Sequence, residues 1–406
     1  MSWVVLIGTL DTKGAEIGFL RAALEARGAQ TLVMDVGVRG IPAIDADITR
    51  EVVAESAGTS IHALDAAGDR GRAVDAMLHG AATKVRELHE EGEVAGVLAI
   101  GGSAGTAIGT AAMRALPVGV PKLMVSTMAS GNTAPYVGSK DIAMMYSVAD
   151  FTGLNRISRR VLANAAAAMA GMAGQDAAPD SASGDRPLVG ATMFGVTTPC
   201  VERVRALMEE AGYELLVFHA TGAGGRAMED LVRDGLLDGV LDITTTELAD
   251  ELVGGVLSAG PDRMEIAGKL GLPQVISLGA MDMVNFGEPA SVPEKFSGRL
   301  FYEHNPAVTL MRTTPEECAR LGEIIARKAS AARGPVTIVL PLGGVSAIDR
   351  DGQVFHDPAA DEALFGAIRT NIGKNVTLIE IPEHINDEAF AQQLVASFLA
   401  MVGENQ

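Results

Sequence analysis

Apolar residues in this chain follow two alternating rhythms. Short unbroken runs such as Val94-Ala95-Gly96-Val97-Leu98-Ala99-Ile100 have the continuous apolar character of strands covered on both faces. Between them lie longer stretches whose apolar positions recur every three or four residues, as on one face of a helix. The pattern predicts strands near 3–8, 30–36, 95–100 and 122–127, with helices near 14–27, 71–91, 104–115 and 156–173. Beyond a break it predicts strands near 188–194, 214–219, 238–243, 274–278, 336–340 and 376–381, and helices near 199–211, 226–235, 246–257, 314–332 and 386–401. Strands alternating with helices read as βαβ units. The expected fold class is therefore α/β, with two Rossmann-like domains whose mainly parallel sheets face a cleft.

The break sets the domain boundaries. Residues 175–186 are small, polar and proline-bearing between apolar regions, as linkers are. This gives an N-terminal domain over 1–174, a linker over 175–186 and a C-terminal domain over 187–406, whose last helix is free to pack back on the first. A chain of 406 residues suits two cores better than one.

Composition then removes several function classes. A net charge of −19 opposes general nucleic-acid binding. No apolar run approaches the roughly 18 residues of a membrane helix, and the N-terminus has no basic export signal. Cys200 and Cys318 are the only cysteines, so no disulfide framework is expected and the cytoplasm is the expected compartment. The seven histidines are scattered without zinc-binding spacing.

The candidate chemistry lies where strands end. Gly101-Gly102-Ser103-Ala104-Gly105-Thr106 follows a strand and opens a helix, the local build that aims N–H groups at an anion. Two turns repeat it: Gly8-Thr9-Leu10-Asp11-Thr12-Lys13 and Ser126-Thr127-Met128-Ala129-Ser130-Gly131-Asn132. At one sheet edge the three would form a phosphate site, with Lys13 as a point charge and Asp11 holding magnesium through water. The alternatives are a plain tight turn for the glycines, a helix cap for Asp11 or Thr12, and core packing for Met128. No Walker A string occurs; the nearest, Gly366 to Gly373-Lys374-Asn375, has the wrong spacing and no hydroxyl.

The second half holds a rival. Gly222-Ala223-Gly224-Gly225-Arg226-Ala227 fits G-x-G-x-x-A after a strand, and Asp242 lies 20 positions on, where a dinucleotide fold keeps its ribose-binding acid. An NAD(P)- or FAD-binding oxidoreductase is therefore one reading; an anion held by the helix start at Arg226 is the other. Thr198, Thr221, Arg226, Thr245 and His304 form the candidate substrate site. Asp282, Asn285 and the Glu303-His304-Asn305 and His384-Ile385-Asn386-Asp387 clusters read as caps and loop hydrogen bonds before they read as acid–base groups. Cys200, in the first turn of a helix, is either activated there or buried and inert.

Taken together these strings resemble one family. Gly8-Thr9…Asp11-Thr12-Lys13, the Gly-Gly-Ser turn, Met193-Phe194-Gly195-Val196-Thr197-Thr198-Pro199-Cys200-Val201, Phe218-His219-Ala220-Thr221-Gly222 and Leu241-Asp242-Ile243-Thr244-Thr245-Thr246-Glu247 carry the resemblance, which spans nearly the whole chain. The chain resembles the bacterial and plant family related to the N-terminal, ATP-binding domain of the tomato tobamovirus resistance protein. The resemblance implies ATP as cofactor, magnesium carried by its phosphates, and homodimers. The three turns and the resemblance together place the nucleotide on Thr9, Asp11, Lys13, Gly101, Gly102, Ser103, Gly105, Thr106, Ser126, Met128, Ala129, Ser130, Gly131 and Asn132. The function expected is a nucleotide-dependent enzyme acting on a small molecule in the interdomain cleft, or a nucleotide-gated binding or regulatory protein without turnover.

Overall fold

A computed structural model describes residues 2–174 and 186–403. The expected linker thus lies outside the described residues, Arg186 excepted. The chain divides into two compact units, Met1–Asp180 and Ser181–Gln406.

The first unit is built on five parallel strands: β1 (Trp3–Gly8), β2 (Thr31–Asp35), β3 (Val94–Gly101), β4 (Lys122–Ser126) and β5 (Ala143–Tyr146), in the order β2-β1-β3-β4-β5. Alternate residues of one strand serve two cores. Val5, Ile7, Val97 and Ala99 pack with Met77, Ala81, Ile108 and Ala112 of the helices over Arg70–Glu90 and Ser103–Arg114. Val4, Leu6, Leu98 and Ile100 pack with Ile17, Leu20, Leu162 and Met169 of the helices over Leu10–Glu25 and Arg156–Ala173. Burial on both faces explains why the strands read as unbroken apolar runs. The sheet's strand order reverses between β1 and β3, which opens a crevice at their carboxyl ends.

In the second unit six parallel strands run in the order β14-β13-β9-β8-β6-β7. They are β6 (Leu188–Met193), β7 (Glu214–His219), β8 (Gly239–Thr244), β9 (Gln274–Gly279), β13 (Val336–Pro341) and β14 (Val376–Ile381). Between β9 and β13 the chain makes an antiparallel sheet, β10-β12-β11, of β10 (Met283–Phe286), β11 (Phe301–Asn305) and β12 (Val308–Arg312). The sequence pattern does not show this sheet, nor β5 or the helix over Pro358–Asn371. These strands have only four or five residues, and β11 is mostly exposed, so no apolar run marks them. Phe390, Leu394 and Phe398 of the last helix, Glu388–Gly403, pack with Val201, Val204 and Met208 of the helix over Thr198–Glu210.

Two guanidinium-centred networks are buried in this second unit. Around Arg312 stand Asp361, at 2.8 Å, and Asp349, at 3.5 Å. Asp282 is fully buried close by and accepts from Ser346 Oγ at 2.7 Å. Burial and the neighbouring Asp349 push the Asp282 and Asp361 carboxyls up to about 7, against the pull of Arg312. The His384 cluster is the hydrogen-bonded loop that its residue types suggest. Asn386 donates to Val196 O, and the Cys200 N–H donates to its Oδ1. Burial raises the Cys200 thiol to about 12, so the inert reading of this cysteine holds.

Raised carboxyls give a signed pH dependence. From about pH 4, the usual unfolded value, up to about 7 the folded chain keeps protons that the unfolded chain has lost, so this pair's contribution to stability falls as pH rises. Thermal melts from pH 4.5 to 8.5 should show Asp282→Asn gaining on the wild type as pH rises, with the gap levelling above about 7. A gap independent of pH would contradict the assignment.

Candidate functional site

A cavity of about 890 Å³ lies wholly in the first unit, within the range of small-molecule sites. It runs along the carboxyl ends of the strands, from Val36–Arg39 after β2, past Thr9–Lys13 and Gly102–Gly105, to Thr127, Met128 and Tyr146–Asp150 after β4 and β5. Leu64, Ala73, Val74, Met77 and Ile108 make its apolar wall.

Two helices start on its floor, neither capped by the side chain of its own N-cap residue. The helix over Ser103–Arg114 has Gly102 at its N-cap, and the helix over Leu10–Glu25 has Thr9, whose hydroxyl turns to Thr12 Oγ1 at 2.7 Å. The Ser103 start carries the positive end of a helix dipole toward the crevice, whereas the other helix is kinked at Lys13, whose backbone is not helical. The helix cap expected of Asp11 or Thr12 is supplied from elsewhere. Asp35, at the end of β2, accepts from Leu10 N–H at 3.0 Å and Gly37 N–H at 2.9 Å, and pairs with Arg50 at 3.1 Å. Asp11 and Lys13 are thereby left to line the cavity. Asp11 Oδ1 is buried with no hydrogen-bond partner, packed under Gly37 and Gly40. Lys13 makes no ion pair or side-chain hydrogen bond among the described residues.

The two glycines of the central turn have different work. A Cβ on Gly101 would come within 2.6 Å of Gly105 Cα, so its role is to let the helix close against the strand. A Cβ on Gly102 would meet only Thr127 Oγ1, at 3.7 Å. Thr106 and Ser126 are buried couplers that do not line the cavity. Their hydroxyls meet at 2.6 Å, and Ser126 Oγ also accepts from Met128 N–H at 2.9 Å, which locks the β3 and β4 turns together. Thr9, Asp11, Lys13, Gly102, Ser103, Gly105 and Met128 do line it. Ala129, Ser130, Gly131 and Asn132 do not; Asn132 caps the short helix over Ala134–Val137 through Ala134 N–H at 3.1 Å. Sequence reasoning missed Tyr146–Asp150 and the apolar wall, which come from a short edge strand and a distant crossover.

The rival turn in the second unit is already filled. Glu247 Oε1 accepts from Gly222 N–H at 2.7 Å and Gly225 N–H at 3.0 Å, where a phosphate would sit. Gly222 has φ 80, which favours glycine. Asp242 is fully buried and bonded by both terminal nitrogens of Arg263, at 2.6 and 2.5 Å, while Arg263 Nε holds Glu247 at 2.7 Å. The strand-end hydroxyls are engaged too: Thr197 with Thr244 at 2.7 Å, Thr192 with Asp242 at 2.8 Å, and Thr245 with Ser277 O at 3.0 Å. Of the candidate substrate residues, Thr198 bonds Gly195 O at 3.2 Å and Thr221 bonds His219 O at 3.3 Å. Arg226 bonds Ser258 O at 2.8 Å, and His304 is exposed on β11 of the antiparallel sheet. None of the five lines the large cavity. Among the described residues no cluster of three His, Cys, Asp or Glu is placed to hold a metal, and no helix is long and apolar enough to cross a membrane.

Comparison with known proteins gives matches along nearly the whole chain. Residues 2–178 match the N-terminal domain, and residues 186–402 the C-terminal domain, of an uncharacterised protein family, UPF0261. A UPF0261 protein of Clostridium tetani is 49% identical, with 98% of each chain covered. One from Rhizobium meliloti has the same identity and coverage. The ToMV resistance protein Tm-1 of Solanum lycopersicum is 41% identical over 98% of this chain and 55% of its own length.

Arg263 holds the filled turn together, which makes it the residue to remove. Arg263→Met would leave Asp242, Glu229 and Glu247 buried around a lost cation, a loss of about 3–5 kcal/mol. Urea unfolding followed by a probe in the C-terminal domain should show it; a change below about 1 kcal/mol would mean the network is not what fixes the turn.

Proposed function

The chain belongs to the uncharacterised protein family UPF0261, and from that premise we propose that its N-terminal domain binds ATP, with magnesium carried on the phosphates. The carrying observation is the meeting, in one cavity of about 890 Å³ at the sheet's switch point, of the Ser103–Arg114 helix start, which has no side-chain cap, and Lys13, which makes no ion pair or side-chain hydrogen bond among the described residues. The N–H groups at the helix starts suit phosphate oxygens, and the Lys13 ammonium supplies a compensating point charge. The apolar wall of Leu64, Val74 and Met77 suits a nucleobase. The sequence resemblance to an ATP-binding domain supports the same ligand.

Magnesium fits the donor set. Asp11 offers a buried carboxylate oxygen with no other partner, and Asp150 lines the same cavity. Magnesium is commonly held by one or two carboxylates together with phosphates, with no all-protein cage. When bound, the ion would screen the phosphate charges from these carboxylates.

A nucleotide-dependent enzyme and a nucleotide-gated binder both use such a site. The second reading is favoured by one observation: the strand-end hydroxyls and glycine turn of the C-terminal domain, a natural place for a substrate, are spent on internal hydrogen bonds. Phosphate release on mixing the protein with ATP would mark the enzyme. The same internal bonding of Asp242 and Gly222 counts against a dinucleotide in that domain.

Isothermal titration of the full chain tests the ligand. Wild type should bind Mg-ATP. Gly102→Val, whose side chain would project into the phosphate floor without disturbing the fold, should weaken it by about 2 kcal/mol or more. Arg226→Ala should leave it unchanged. Equal affinity in wild type and Gly102→Val would remove the phosphates from this turn.

A further inference from the structure

The cavity has a distinct far end at β5, and there Ser147 is the unexplained group. It is 3% exposed and lines the cavity, yet its Oγ is buried with no hydrogen-bond partner. Its backbone, by contrast, is fixed. The Ser147 N–H donates to Ser126 O at 3.1 Å, the same serine that joins the β3 and β4 turns. A buried hydroxyl without a partner is costly to keep. The next residue, Val148, is 60% exposed and sits at φ 66, a region that β-branched residues avoid.

We propose, resting on the nucleotide reading above, that this end of the cavity reads the terminal phosphate of a nucleoside triphosphate, with the Ser147 hydroxyl as its hydrogen-bond donor. Orientation follows from the lining. At the β2 end Val38, Leu64 and Met77 offer apolar surface for a base, beside Arg39, Asp69 and Arg70. In the middle lie Lys13 and the two helix starts, suited to the phosphates nearest the sugar. At the β5 end the polar side chains of Thr127, Ser147 and Asp150 line the cavity beside Met128, Tyr146 and Val148. Four strand spacings of about 4.8 Å separate the ends, roughly 19 Å, so a ligand anchored at the β2 wall must be extended to reach Ser147. A monophosphate would stop at the helix starts. Asp150 at the same end requires that the terminal phosphate arrive as its magnesium complex, since a bare phosphate would face a carboxylate.

Ser147→Ala in the full chain tests this by titration with Mg-ATP, Mg-ADP and AMP, alongside thermal melts without ligand. Affinity for ATP should fall tenfold or more, affinity for ADP and AMP should stay within twofold, and the melting temperature of the free protein should hold or rise. Unchanged ATP affinity, or equal losses for all three nucleotides, would overturn the assignment of Ser147 while leaving the nucleotide site standing. A fall in the free protein's melting temperature would overturn it as well, because the hydroxyl would then be a structural group. Failure of the wild type to bind any of the three would overturn both readings.

Discussion

The backbone N–H groups at the starts of two helices, Ser103 left open and Leu10 taken by Asp35, govern what the N-terminal domain can do. A helix start leaves donors without intrahelical partners, and most proteins satisfy them with a side-chain cap. Here Thr9 and Gly102 supply none. The order β2-β1-β3-β4-β5 puts these starts on either side of the reversal in strand order, so their donors meet at one crevice. Asp35 takes the Leu10 N–H and draws its negative charge into an ion pair with Arg50. Asp11 and Lys13 are thereby released from capping and left to face the cavity.

The C-terminal domain shows how the same architecture closes. Its glycine turn has N–H donors in the arrangement that binds phosphate, but Glu247 reaches back from the next crossover to occupy them. Arg263 then pairs with Glu247 and Asp242 together. One parallel sheet keeps its crevice open and the other fills it with its own carboxylate. The difference is one of internal charge, since both strand orders have a switch point.

Much of this was legible in the sequence where the signal is local. Each strand–turn–helix unit is continuous, so the turns at Gly8–Lys13, Gly101–Thr106 and Ser126–Asn132 could be placed at strand ends from apolar runs alone. What stayed hidden depends on partners far apart in the chain. Asp35 caps a helix that starts 25 residues earlier, and Glu247 fills a turn 22 to 25 residues before it. Nothing local to Gly222–Ala227 reveals that its donors are taken. Thr106 and Ser126 carry the right residue types for a ligand, yet bond each other across two strands. The antiparallel sheet escaped because its exposed strand β11 carries no apolar rhythm, and His304 went with it.

The contrast between an open crevice and a filled one can be measured without choosing a mutant. Amide hydrogen exchange of the full chain, with and without Mg-ATP, reports which N–H groups a ligand covers. Slowed exchange at 9–13, 102–106, 127–128 and 146–150, with no change at 222–226, is the expected result. Protection confined to 222–226, or absent from the start of the Ser103–Arg114 helix, would contradict the placement of the ligand in the open crevice of the N-terminal domain.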